Sequence, residues 1–217
     1  VTASEDLTAR VWANDNDHLL LQIAGHTDIV QSAVFSNDGT RILTASNDKT
    51  ARLWDAKKGH ALLVLTGHGD AVTAAVMSED QTRIATASAD QKVRLFDAKG
   101  GQLLQTFAGH TGPVFSIAID RKNTRLITGS ADKTARIWDL KTGAQIKELS
   151  GHAAAVYGVA FEPQGTRVAT AGADAIARVF DAESGRALHT LAGHKYAVYS
   201  VAWSPDGTRI ATGGHCG

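Results

Sequence analysis

Cysteine is almost absent from this chain: Cys216 stands alone among 217 residues. That excludes an internal disulfide framework and makes a reducing compartment such as the cytoplasm the expectation. Net charge is absent as well, with 22 Lys and Arg against 22 Asp and Glu. Neither nucleic acid nor a membrane surface is therefore an expected partner, because phosphate-rich surfaces are held by clustered excess positive charge. No apolar run approaches the length that spans a bilayer, and no stretch has the form of a signal peptide. HExxH, paired CxxC, phosphate-loop, dinucleotide and nucleophile-elbow patterns are missing, as is any glycosylation sequon. An enzyme reading has no residues to stand on, and no cofactor or metal is implied. What is present is 43% apolar content, which suits a packed core.

That apolar content is arranged in a repeat. Gly-His occurs at 25-26, 67-68, 109-110, 151-152 and 193-194, each step 42 residues without insertion or deletion. An aromatic followed by Asp keeps the same step at Trp54-Asp55, Phe96-Asp97, Trp138-Asp139 and Phe180-Asp181, with Trp12 one period earlier. Between the markers lie short apolar runs. IVQSAVFS recurs as AVTAAVMS, PVFSIAID, AVYGVAFE and AVYSVAWS, the pattern of a strand covered on both faces. A polar turn such as NDGTR follows, then RILTAS or its equivalent. Next come a tight turn bearing Asp48, Asp90, Asp132 or Asp174, a third strand such as TARLW, and a variable fourth. Four short antiparallel strands per 42 residues, with no helical pattern, predict propeller blades.

With five Gly-His pairs locked to five aromatic positions, the chain resembles the WD-repeat β-propeller family over essentially its whole length. The resemblance implies an all-β fold of four-stranded antiparallel blades, about five repeats in a single domain, 1–217. Residues 25–66, 67–108, 109–150 and 151–192 are full repeats, and 1–24 and 193–217 are partial ones. It also implies a hydrogen-bonded set in each blade. The members here are His26, Ser46, Asp48 and Trp54; His68, Ser88 and Asp90, with Phe96 for Trp; His110, Ser130, Asp132 and Trp138; and His152 and Asp174, with Gly172 and Phe180 at the other places. His194 opens the last copy, and Ser4, Asp6 and Trp12 belong to the first. Phe has no indole N–H, so the two Phe blades are expected to be weaker by about 1 kcal/mol for each lost hydrogen bond. A recurring Ser, His and Asp invites comparison with a catalytic triad. A triad is a single constellation with an oxyanion hole, whereas a set repeated in every blade reads as a stiffener. His18 and His60, one period apart at a turn before the fourth strand, read as solvated surface residues over a metal site, and His215-Cys216 forms no recognisable metal site.

Function in a repeat protein is expected where exposed positions differ between copies. One residue after the recurring Val stand Gln31, Thr73, Phe115, Tyr157 and Tyr199. In the family this position lies at the rim of the central channel, on the face carrying Gly-His and the turn Asp. Two residues earlier come Ile29, Ala71, Pro113, Ala155 and Ala197, with Tyr196 beside the last; before the turn Asp come Glu5, Asn47, Ala89, Ala131 and Ala173. The expected role is a non-enzymatic scaffold that binds a loop or peptide of a partner protein there, through Phe115, Tyr157, Tyr199, Tyr196, Gln31 and Asn47. The alternative is a propeller that stacks a small ligand or glycan on its aromatics; the asymmetry of the series favours one extended site.

The two ends carry complementary pieces. Residues 1–12 supply a turn Asp and Trp without Gly-His, and 193–217 supply Gly-His without third and fourth strands. In the family an N-terminal segment completes the last blade, so 1–24 is expected to do so here. Residues 1–7 and 211–217 nonetheless share one register. The chain begins at Val1 within a repeat, and five blades are fewer than the family usually carries. A segment of a longer array, a ring closed on five blades, and half of a two-chain ring all fit; an array that does not close is expected to self-associate.

Overall fold

The computed structural model describes residues 1–15 and 18–215. All regular structure among them is β. The chain opens with β1 (Thr2–Ala3), β2 (Thr8–Trp12) and β3 (Leu19–Ala24). Four complete blades follow. The first blade is β4 (Val30–Phe35), β5 (Arg41–Ser46), β6 (Ala51–Asp55) and β7 (Ala61–Leu65). The second is β8 (Val72–Met77), β9 (Arg83–Ser88), β10 (Lys92–Asp97) and β11 (Leu103–Ala108). The third is β12 (Val114–Ile119), β13 (Arg125–Ser130), β14 (Ala135–Asp139) and β15 (Gln145–Leu149). The fourth is β16 (Val156–Phe161), β17 (Arg167–Gly172), β18 (Ala177–Asp181) and β19 (Ala187–Leu191). The chain ends with β20 (Val198–Trp203) and β21 (Ile210–Gly214). Within each blade the strands pair antiparallel in chain order, as hairpins joined by short turns dictate.

The core lies between blades. Leu43, Leu53 and Leu65 of the first blade pack with Val72, Ile84 and Phe96 of the second. Leu95 and Phe107 of the second meet Val114, Leu126 and Trp138 of the third, and Ile127, Ile137 and Leu149 of the third meet Val156, Val168 and Phe180 of the fourth. The repeating aromatic therefore plugs the seam with the preceding sheet, which explains why Phe replaces Trp there without a change of fold. Trp54 is 3% exposed, whereas Trp12, against which no sheet seam forms among the described residues, is 44% exposed. The first strands of successive blades lie against one another, and the second strands are buried almost throughout. On the side away from Gly-His an arginine ties each blade to the next: Arg41 to Gln81 Oε1 (2.7 Å), Arg83 to the Asn123 carbonyl (3.0 Å), Arg125 to that of Gly165 (2.5 Å) and Arg167 to that of Gly207 (3.0 Å).

Strands β1, β2 and β3 form a three-stranded sheet that meets the first full blade where the Val30 N–H donates to the Ser4 carbonyl (3.2 Å). β20 and β21 form a separate two-stranded sheet. The merger of these segments into one blade, expected from the sequence, has no strand pairing behind it among the described residues. Thr2 on β1 and Thr212 on β21 are equivalent positions of the repeat.

Candidate functional site

The expected network forms, with a different hydroxyl at its centre. In the first full blade His26 Nδ1 lies 2.7 Å from Asp48 Oδ2 and Nε2 lies 2.7 Å from Thr44 Oγ1; Trp54 Nε1–H donates to that same oxygen at 2.8 Å. The third blade repeats this, with His110 at 2.7 Å from both Asp132 and Thr128, and Trp138 donating to Thr128 at 3.0 Å. Burial pushes His26 and His110 below the usual imidazole range, against the pull of Asp48 and Asp132. A neutral ring beside a carboxylate must carry its proton on Nδ1, which leaves Nε2 to accept from the threonine. Burial would raise Asp48 and Asp132, but hydrogen bonds from Thr50 or Thr134 and from the histidine hold both carboxyls at about 2.

Ser46, Ser88 and Ser130 serve elsewhere than expected. Ser46 Oγ accepts the Asp48 N–H at 3.1 Å and donates to the Asp28 carbonyl at 2.9 Å, stapling the turn to the Gly-His loop. Ser88 bridges Asp90 to Asp70, and Ser130 bridges Asp132 to Gly112, in the same way. Ser4 Oγ accepts the Asp6 N–H at 3.2 Å. A signal for threonine was in the sequence: Thr2, Thr44, Thr86, Thr128, Thr170 and Thr212 recur without exception, whereas glycine replaces the serine in the last two copies.

This also changes the reading of the imperfect blades. His152 keeps Thr170 (2.8 Å) and Asp174 (2.9 Å) although Gly172 and Phe180 occupy the other places, and Arg178 Nη1 comes within 2.7 Å of Nδ1. His68 keeps Thr86 (2.8 Å), but its Nδ1 meets no hydrogen-bond partner among the described residues, and Asp90 pairs with Arg94 at 2.8 Å. Trp12 donates to Thr2 (3.0 Å) without a histidine, and His194 meets Thr212 (2.8 Å) without a tryptophan. The threonine–histidine–aspartate geometry is triad-like, but Thr44, Thr86, Thr128 and Thr170 are fully buried, so no substrate carbonyl can reach the hydroxyl.

The position singled out one residue after the recurring Val is a β-bulge in every copy. Pairing jumps from Val30 to Ser32, Val72 to Ala74, Val114 to Ser116, Val156 to Gly158 and Val198 to Ser200. Gln31, Thr73, Phe115, Tyr157 and Tyr199 are thus the unpaired residues, and a bulge re-aims the side chain that it frees. Three of them meet: the Phe115 and Tyr157 ring centroids are 5.3 Å apart and those of Tyr157 and Tyr199 are 5.1 Å apart. The closer pair has a local cause. A Cβ added at Gly158 would stand 2.9 Å from the Tyr199 carbonyl oxygen and 3.1 Å from Ser200 Cα, so only glycine lets β20 come this near. Tyr199 and Tyr196 are 51% and 48% exposed, and Tyr196 packs edge-on against His215. Gln31 and Asn47 bond each other (Nε2 to Oδ1, 2.9 Å), while Thr73 donates to the Val114 carbonyl (2.6 Å).

Among the described residues no group of three or more His, Cys, Asp and Glu is placed to hold a metal ion. Cys216, and with it the His215-Cys216 pair, lies outside the described residues. No helix among the described residues is long and apolar enough to cross a membrane.

A family model, WD domain, G-beta repeat, matches the chain five times, over residues 18–55, 59–97, 101–139, 143–181 and 185–217. No curated protein matches it. Five matched repeats, each built on the histidine–threonine pair and the inner-strand bulge, place the chain in the WD-repeat family, whose members generally act as non-enzymatic scaffolds for protein–protein interaction.

Proposed function

We propose that this chain binds a loop or short peptide of a partner protein on the Gly-His face, with Phe115, Tyr157 and Tyr199 as the anchor and Tyr196, Gln31 and Asn47 at the margins. The observation that carries the reading is the unbroken stack of three part-exposed rings, each on a bulge of a different blade. Rings held in a row give a rigid apolar surface at low entropic cost, and the tyrosine hydroxyls add polar tips. Gln31 and Thr73, spent on contacts within the protein, mark where the surface stops being aromatic. A glycan or small-ligand site would call for separate aromatic pockets, whereas these rings pack on one another.

The test is capture of binding proteins by the parent and by Tyr157→Ala and Tyr199→Ala, alongside thermal melting. Loss of a captured protein at unchanged melting temperature supports the site. Lowered stability with capture intact means that the rings only pack blades together.

A further inference from the structure

The Gly-His face divides into two chemically different halves, and two positional series divide it at the seam between the second and third blades. The bulge position runs Gln31, Thr73, then Phe115, Tyr157, Tyr199. The position two residues before the recurring Val runs Asp28, Asp70, then Gly112, Ala154, Tyr196. The position before the turn Asp changes one blade earlier, running Glu5, Asn47, then Ala89, Ala131 and Ala173, with His215 in the last copy. The first two series are polar or acidic up to the second blade and aromatic or small beyond it. Asp28 and Asp70 are exposed, and each has its Oδ1 turned back on the next backbone N–H (2.7 Å to Ile29, 2.8 Å to Ala71), which fixes where the carboxylate stands. Their main-chain carbonyls are pinned by Ser46 and Ser88, so these loops are held rather than loose. Lys49 and Lys133 occupy the tips of the second hairpins with positive φ and Lys92 begins β10, so these three cations of the same face stand on the turn-Asp hairpins, not on the inner-strand loops that carry Asp28 and Asp70. Lys195 does, next to Tyr196 at the far side of the aromatic half.

We propose that this mouth is bipartite and takes a peptide segment in which an arginine or lysine lies close to an aromatic or large apolar side chain, the cation over Asp28 and Asp70 and the apolar group on Phe115, Tyr157 and Tyr199. The proposal rests on the reading of the aromatic stack as the partner site and adds the chemistry of the partner. Charge complementarity selects and orients a ligand more than it tightens it. Lys195 at the opposite end repels the same cation, so a reversed peptide is disfavoured.

The experiment is selection of a phage-displayed library of random linear peptides on the immobilised full chain, on the Asp28→Asn/Asp70→Asn variant and on Tyr157→Ala/Tyr199→Ala. Asparagine keeps the acceptor oxygen that each loop needs, and thermal melting checks that all three fold alike. Expected on the parent are peptides combining a basic and an aromatic residue. The asparagine variant should keep the aromatic preference and lose the basic one, and the tyrosine variant should enrich neither. A synthetic peptide from the parent selection should bind the asparagine variant about ten-fold more weakly in low salt, with the gap narrowing as salt rises. Aromatic peptides without basic residues on the parent, or an unchanged basic preference in the asparagine variant, would overturn the bipartite mouth while leaving the aromatic site standing. No enrichment on the parent would remove both.

Discussion

In the third full blade His110 is held at both ring nitrogens and Trp138 closes the network on Thr128; in the second, His68 is held at one nitrogen and Phe96 closes nothing. The two blades share strand lengths to within a residue, pairing order and interblade packing. The fold therefore rests on the apolar seams, and the polar network stiffens the loops laid over them. Asp90 pairs with Arg94, as Asp48, Asp132 and Asp174 pair with Arg52, Arg136 and Arg178; what the second blade lacks is the histidine contact. Burial, together with the nearby Arg94 charge, pushes His68 down to about 4.

This contrast can be broken in several places. Removing a carboxylate should do most: Asp132→Ala strips acceptors from His110, Thr134 and the Thr111 N–H together and should cost about 3 kcal/mol in urea unfolding. Thr128→Val keeps the shape but orphans His110 Nε2 and the Trp138 indole; a loss of about 2 kcal/mol is expected, against about 1 kcal/mol for Thr86→Val, which orphans His68 Nε2 alone. Equal losses would mean that the tryptophan bond adds nothing. Phe96→Trp should return about 1 kcal/mol by restoring a donor to Thr86, provided that the seam accepts the larger ring; a loss instead would show the second blade repacked around phenylalanine.

The smallest effect is a pH dependence. The unfolded chain binds the His68 proton below about 6.5 and the native chain only near 4, so stability must fall as pH drops through that window. His26, His110 and His152 act in the same direction, since burial lowers each of them. His68→Gln should flatten the fall in urea midpoint between pH 6.5 and 4, and identical slopes would sink the assignment. Asp48 and Asp132 act lower: their contribution is full above about 3.8 and is lost toward 2.

The 42-residue step, the strand order, the turn aspartates and the neighbouring placement of Phe115, Tyr157 and Tyr199 were legible in the sequence because each is a local pattern repeated in register. The sequence left Thr44 and Ser46 undistinguished on geometry, because both stand on one face of β5, two residues apart. Which of them meets His26 depends on where the Gly-His loop carries the ring, and that is a contact between segments far apart in the chain. The bulge was equally invisible, since it is a relation between two strands and not a property of either. Self-similarity determines that blades form and which residues repeat. Only the packing of one sheet on the next decided that Trp12 is exposed where Trp54 is buried and that Gly158 brings Tyr199 against Tyr157. The reason is physical: those outcomes depend on distances between backbones that no single repeat contains.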